Sequence, residues 1–168
     1  IVDAMIAAEP DVVLIGGDLA GHQVPHATRP REREVIYPAF RRLADIAPVL
    51  VVQGNHDSNP DIDNLVTIGG EWPIRVVTGA EVIPVQTRSG VCNVYGLAYP
   101  TKRWLLAGQA VEGGLIGAQR AVEERLATLL AMWAHRIRRR RASHPEEPHV
   151  GLMHIQIAGC TTSGAAGG

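Results

Sequence analysis

Apolar residues recur along the chain in two rhythms. Ile1 to Ala8 carries them at helical spacing and stops at Glu9-Pro10, because the residue before a proline avoids helical geometry. Asp11-Val12-Val13-Leu14-Ile15 and Pro48-Val49-Leu50-Val51-Val52-Gln53 are instead short continuous apolar runs, closed by Gly16-Gly17 and by Gly54. Runs of this length without alternation predict strands covered on both faces. A polar stretch over 18–30 and a helix over 31–46 separate them. This β-loop-α-β order predicts parallel strands joined by a right-handed crossover.

The middle of the chain changes character. Ile74 to Thr78, Glu81 to Thr87 and Val91 to Leu97 are short segments rich in Val and Ile between glycine or charged turns, and they predict an antiparallel β-meander. The longest helix is expected from Gly117 to Arg141, with Val122, Leu126, Leu129, Leu130, Trp133 and Ile137 on one stripe. After a loop over 143–148, His149 to Met153 reads as one more short strand. Beyond His154 the chain turns to Gly, Ser, Thr and Ala, and no segment repeats another. The pattern predicts one α/β domain over residues 1–168.

Composition agrees and narrows the possibilities. In 168 residues, 46% hydrophobic and 20% charged content suits a single domain with a real core and argues against disorder. With 16 Lys+Arg against 17 Asp+Glu the net charge is −1, which excludes a globally basic nucleic-acid binder but leaves room for a local patch. That patch is the run from Arg136 to Arg141, in which Arg138, Arg139, Arg140 and Arg141 are contiguous. It reads either as a solvated helix end, where cations suit the negative pole of the macrodipole, or as a contact to DNA phosphates. No aromatic residues interleave with it to stack on bases. His135 and His144 flank it as surface residues, and Trp104 and Trp133 read as packing. Cys92 and Cys160 stand outside any finger or CxxC spacing and are expected to be reduced thiols. No apolar run reaches the roughly 18–20 residues of a membrane span, and no signal-peptide pattern opens the chain, so a cytoplasmic location is expected.

Chemistry concentrates at strand ends. In open α/β sheets, ligand-binding groups collect at the carboxyl ends of the strands. Three predicted strands end on metal-capable residues: Gly16-Gly17-Asp18, Gly54-Asn55-His56-Asp57 and Met153-His154. A Gly-Asp after a strand is commonly only a turn or cap. Gly-Asn-His-Asp behind a buried strand, between an upstream Gly-Asp and a downstream strand-end histidine, is far more specific. In this order the motifs resemble the calcineurin-like metallophosphoesterase superfamily. The stretch from Asp11 to Asp57, the segment Val94-Tyr95-Gly96-Leu97-Ala98-Tyr99-Pro100, and Leu152-Met153-His154 followed by Ala158-Gly159 are similar to SbcD-type DNA repair exonucleases.

The resemblance implies a four-layer α/β/β/α sandwich, incomplete at both ends, and two-metal phosphodiester hydrolysis. Asp18 matches the carboxylate that bridges two divalent ions, Asn55 an amide-oxygen ligand of the second ion, and His154 an imidazole ligand of that same ion. His56 matches the catalytic histidine, which contacts the phosphate and protonates the leaving oxygen. Asp57 is expected to hold its loop as a local cap. His22, in the loop with His26, matches either a histidine that orients the catalytic one or a solvated loop residue, and His149 is expected to be structural. Two ions neutralise the phosphate, acidify a bridging water and hold attacking and leaving groups in line. Oxygen donors mixed with imidazole suit Mn²⁺, Mg²⁺, Fe or Zn²⁺, and the nuclease resemblance favours Mn²⁺. It also implies DNA as substrate, an SMC-like ATPase subunit of SbcC type as partner, and a homodimer. A phosphodiesterase or phosphatase acting on nucleotides or small phosphoesters, and a non-catalytic remnant, are the other readings.

Two family motifs are missing. An Asp-x-His would precede Ile1, and a Gly-His-x-His would follow His154. Three side chains do not fill two ions that each take about four to six donors. The chain is therefore expected to be a fragment of an enzyme or an impaired one.

Overall fold

The two continuous apolar runs become strands shielded on both faces, and everything else is layered around them. The computed structural model describes residues 1–19, 29–57, 62–107 and 114–155. Its helices are α1 (Val2–Ala7), α2 (Arg29–Ala44), α3 (Lys102–Leu105) and α4 (Gly114–Ser143), with a 3₁₀ turn at Asn64–Thr67. Its strands are β1 (Val13–Ile15), β2 (Val49–Val52), β3 (Ile74–Val77), β4 (Ala80–Thr87), β5 (Gly90–Leu97) and β6 (His149–Met153). The first sheet has the order β1-β2-β3, with both pairings parallel and Val13 opposite Val49 opposite Ile74. In the second, β4-β5-β6, β4 and β5 form an antiparallel hairpin and β6 lies parallel to β5.

The expected three-stranded meander is corrected here. Ile74–Val77 is the parallel edge of the first sheet, and only β4 and β5 are antiparallel. The reason lies in where its side chains go. Ile74 packs into the core under α2, and Val77 into the layer between the sheets. Apolar contacts on both sides of the sheet suit a parallel strand even with Arg75 exposed at this edge, and the chain crosses to the other sheet at Thr78-Gly79. The short helix α3 and the 3₁₀ turn have no counterpart among the predicted elements.

Three apolar layers separate four layers of structure. Val13, Val49 and Val51 face Phe40, Leu43 and Ala44 of α2, with Met5 and Ile6 of α1 beside them. Leu50, Val52 and Val77 meet Ile83, Val85, Cys92, Val94 and Leu152 between the two sheets. Tyr95 and Leu97, on the far face of β5, meet Trp133 with Leu126, Leu129 and Ile137 of α4. The arrangement is the expected α/β/β/α sandwich. Val49, Val51 and Val52 are each 0% exposed, so each side chain contributes about 1.5–3 kcal/mol of burial. Leu130, expected on the buried stripe of α4, is 39% exposed. The stripe runs through Leu126, Leu129, Trp133 and Ile137. Trp133 is buried with its ring edge-on to Tyr95 at 5.6 Å, and Trp104 is half-buried. Burial raises the pKa of the Cys92 thiol, whereas Cys160 lies outside the described residues.

One ion pair fastens α4 to the second sheet. Arg140 donates from Nε and from a terminal nitrogen to the two oxygens of Glu147, and Asn93 Nδ2 of β5 donates to the same carboxylate at 2.7 Å. The Arg140 guanidinium holds the Glu147 carboxyl down at about 2, against an ordinary 4.5. A carboxyl that stays ionised to lower pH in the fold than in the unfolded chain stabilises fully above the unfolded value, and that stability is lost as pH falls through the folded one. Glu147→Gln is therefore expected to lower the melting temperature at pH 6. The gap to the parent should narrow from pH 4.5 downward and close near pH 2, as followed by circular dichroism melts.

Candidate metal centre

Two glycine turns, one after each of the first two strands, lie against each other. Gly17 and Asp18 follow β1 with φ of +89° and +54°, consecutive left-handed residues that reverse the chain. A Cβ on Gly17 would lie 2.7 Å from both Gly54 N and Val52 O, and one on Gly54 would run into the Asp18 carboxylate. Only glycine lets these loops touch. Asp18 itself is a non-glycine residue at positive φ, a position that surrounding contacts must enforce.

Those contacts are supplied by the two aspartates. Asp57 accepts hydrogen bonds from Asp18 N at 2.9 Å, Leu19 N at 2.8 Å and Gly54 N at 2.8 Å. Asp18 Oδ1 in turn accepts from His56 N at 3.0 Å. Each carboxylate thus fixes backbone of the other loop, and Asp18 keeps Oδ2 for other partners.

His154 arrives from the second sheet. Its backbone N–H continues the ladder to Leu97 O at 2.9 Å, and its Nδ1 lies 2.6 Å from Gly16 O. A carbonyl only accepts, so Nδ1 carries a hydrogen, which makes Nε2 the atom that ligates a metal in the neutral ring. Nε2 lies 3.0 Å from Asn55 Oδ1 and 3.5 Å from Asp18 Oδ2, contacts that a hydrogen on Nε2 makes in the protonated ring and that a cation takes over in the neutral one. The Asn55 amide is oriented by its nitrogen, which lies 2.9 Å from His56 Nε2.

Three side chains therefore aim lone pairs at one point: a carboxylate, an amide oxygen and an imidazole nitrogen. Such a group gathers around positive charge, a proton on Nε2 or a cation among its members. Hard oxygens mixed with imidazole are the donor set of a divalent transition metal. Donors bonded at about 2.1 Å lie roughly 3.0–3.4 Å apart around an octahedral or tetrahedral ion, close to the spacing seen here. The Gly16 carbonyl behind His154 is the kind of outer partner that fixes a ligating imidazole. The residues fit a metal, and three donors fill part of one shell.

The structure brings Asp18, Asn55 and His154 together, with His56 on the rim and Asp57 behind. His22 and His26 lie outside the described residues. Arg138, Arg139 and Arg141 are exposed near the end of α4, and Arg140 is engaged by Glu147. That helix end precedes β6, whereas His154 follows β6, so the arginine run does not border the centre. His135 is exposed and His144 half-buried, within 3.8 Å of Glu147. His149 lies 3.2 Å from the Tyr95 hydroxyl, and burial lowers its pKa. Two participants escaped sequence reasoning. Gly16 acts through its carbonyl, for which no side chain gives a signal. Tyr99 places its ring edge-on to His154 at 6.1 Å, and its only cue was the Tyr-Pro turn.

The brace makes a direct prediction. Asp57→Ala strands three amides and should cost on the order of 2 kcal/mol of stability by urea unfolding. It should also weaken Mn²⁺ binding roughly 10- to 100-fold by calorimetry, because the Asp18 loop loses its support. Asp57→Asn, which keeps one acceptor oxygen, should fall between.

No individual curated protein matches the chain significantly. A family model for calcineurin-like phosphoesterases matches residues 1–159. That match spans both sheets and every residue of the convergent centre, and the chain therefore belongs to the calcineurin-like phosphoesterase family, whose members use bound divalent metal ions to hydrolyse phosphoesters.

Proposed function

We propose that this domain hydrolyses phosphodiester bonds in DNA, as the catalytic part of a nuclease resembling the SbcD type. The observation that carries the hydrolytic reading is the convergence of the Asp18, Asn55 and His154 lone pairs, with His56 alongside. DNA is favoured by the motifs around Gly54 to Asp57 and Val94 to Pro100 that resemble those nucleases. Asp18, Asn55 and His154 would hold the metal. When bound, divalent ions, Mn²⁺ in this proposal, neutralise the phosphate and acidify the attacking water. His56, tethered to Asp18 through its backbone, stands where its ring can hold a proton for the leaving oxygen.

The remaining parts of the proposal concern partners. β6 is 5 residues long, so at about 3.3 Å per residue its start lies some 17 Å from His154, and the exposed arginines precede that start. That length is about five base-pair steps of B-DNA, a reach a bound duplex covers with phosphates alone. An SMC-like ATPase subunit of SbcC type and a second copy of the chain complete the proposed assembly, in the cytoplasm. No helix among the described residues is long and apolar enough to cross a membrane.

The test is Mn²⁺-dependent degradation of linear duplex DNA. Cleavage of small phosphodiesters without loss of DNA would favour the small-substrate reading instead. His56→Ala should lose about 10²–10⁴-fold in turnover while keeping its metal, the size of a general acid's contribution. Asp18→Ala should lose metal and turnover together. Calorimetry separates the two, and an Asp18→Ala protein that still binds metal at full affinity would remove Asp18 from the centre.

A further inference from the structure

Beside the centre lies a cleft whose chemistry is not that of a phosphate site. Its volume is about 760 Å³, and Gln53, Asn55, Thr78, Tyr99, Thr101 and Trp104 are among its walls. It opens at the carboxyl ends of β2 and β3, and the turn after β5 and helix α3 close its other side. That side is fixed rather than loose. Tyr99 N–H donates to Gln53 O at 2.8 Å, and Trp104 Nε1–H donates to Tyr99 O at 3.2 Å. Trp104 also packs against the Leu97 and Trp133 cluster, while Tyr99 is left 43% exposed.

The lining excludes a second phosphate. None of its described side chains is cationic, and the one carboxylate, on Asp57, is occupied by three amides. What faces the space is two aromatic rings with neutral hydroxyl and amide groups. Aromatic faces with a few neutral hydrogen-bonding groups take a flat, uncharged heterocycle. We infer that this cleft is a nucleobase subsite, in which Tyr99 and Trp104 supply the stacking surface and Thr78 and Thr101 the polar contacts to the base edge. It would seat the nucleoside on one side of a phosphodiester held at Asp18, Asn55 and His154. The inference rests on the phosphodiesterase reading above and adds to it what lies beside the phosphate.

The experiment is calorimetry on the full chain with Mn²⁺ and two probes, a phosphorothioate-linked deoxyadenosine dinucleotide and ring-free dimethyl phosphate. The dinucleotide should bind more tightly. Tyr99→Leu, which keeps apolar bulk and removes the aromatic face, should weaken dinucleotide binding roughly 5- to 100-fold, the range of one lost base stack. Tyr99→Phe should retain it, and Tyr99→Leu should weaken the dinucleotide more than dimethyl phosphate or Mn²⁺. Quenching of tryptophan fluorescence by the dinucleotide should disappear in Trp104→Phe. Equal affinity for the two probes, or a Tyr99→Leu loss shared equally by both probes and by Mn²⁺, would overturn the subsite, the latter because the ring would then act only through His154. Binding of neither probe by Mn²⁺-loaded protein would instead sink the phosphodiesterase reading on which the subsite depends.

Discussion

The reciprocal hold of Asp18 and Asp57 is the constraint on which the centre rests. A carboxylate in a metal site must be placed to within a fraction of an ångström, yet Asp18 follows a strand of only three residues and sits in a backbone conformation that side chains resist. Asp57 overcomes that resistance by collecting three amides from both loops, and Asp18 returns one bond to His56. The glycines at 17 and 54 are part of the same device, since any side chain there would prise the loops apart. The strain and its restraint lie where chemistry needs a rigid carboxylate.

The sandwich gives this brace something to stand on. β2 is buried on both faces, and its end carries Gly54 to Asp57, so the loop hangs from a strand buried at every position. The second sheet is joined to that end through Tyr99 N–H and Gln53 O, and through the His154 ladder on Leu97. At the opposite end, Glu147 ties α4 to β5 through Arg140 and Asn93. The ion pair that steadies the helix is thus kept away from the metal, where a mobile guanidinium would compete with it for Asp18.

Much of this was legible in the residues. Valine and isoleucine runs closed by glycine marked β1 and β2, and their order fixed parallel pairing, because buried parallel strands need no alternation. The four layers followed from the family resemblance. Strand direction in the middle was less readable: Ile74–Val77 is as β-branched as the hairpin beside it, and its pairing with β2 is set by distant packing that no local pattern shows. At the centre, side chains announced themselves and backbone did not. Asp18, Asn55, His56 and His154 stood at strand ends, but Gly16 contributes a carbonyl, a group every residue has. Tyr99 is separated from His154 by 55 positions, and nothing in its neighbourhood of the chain points across to β6.

The contact between Gly16 and His154 joins residues 138 positions apart. A polypeptide emerging in order has β1, β2 and both glycine turns long before β6 exists. The donor triad is therefore unfinished until β6 has docked beside β5. A molecule that holds an ion through all three donors has therefore already brought β6 to its place, so metal binding reports on long-range assembly and not on the two glycine turns alone.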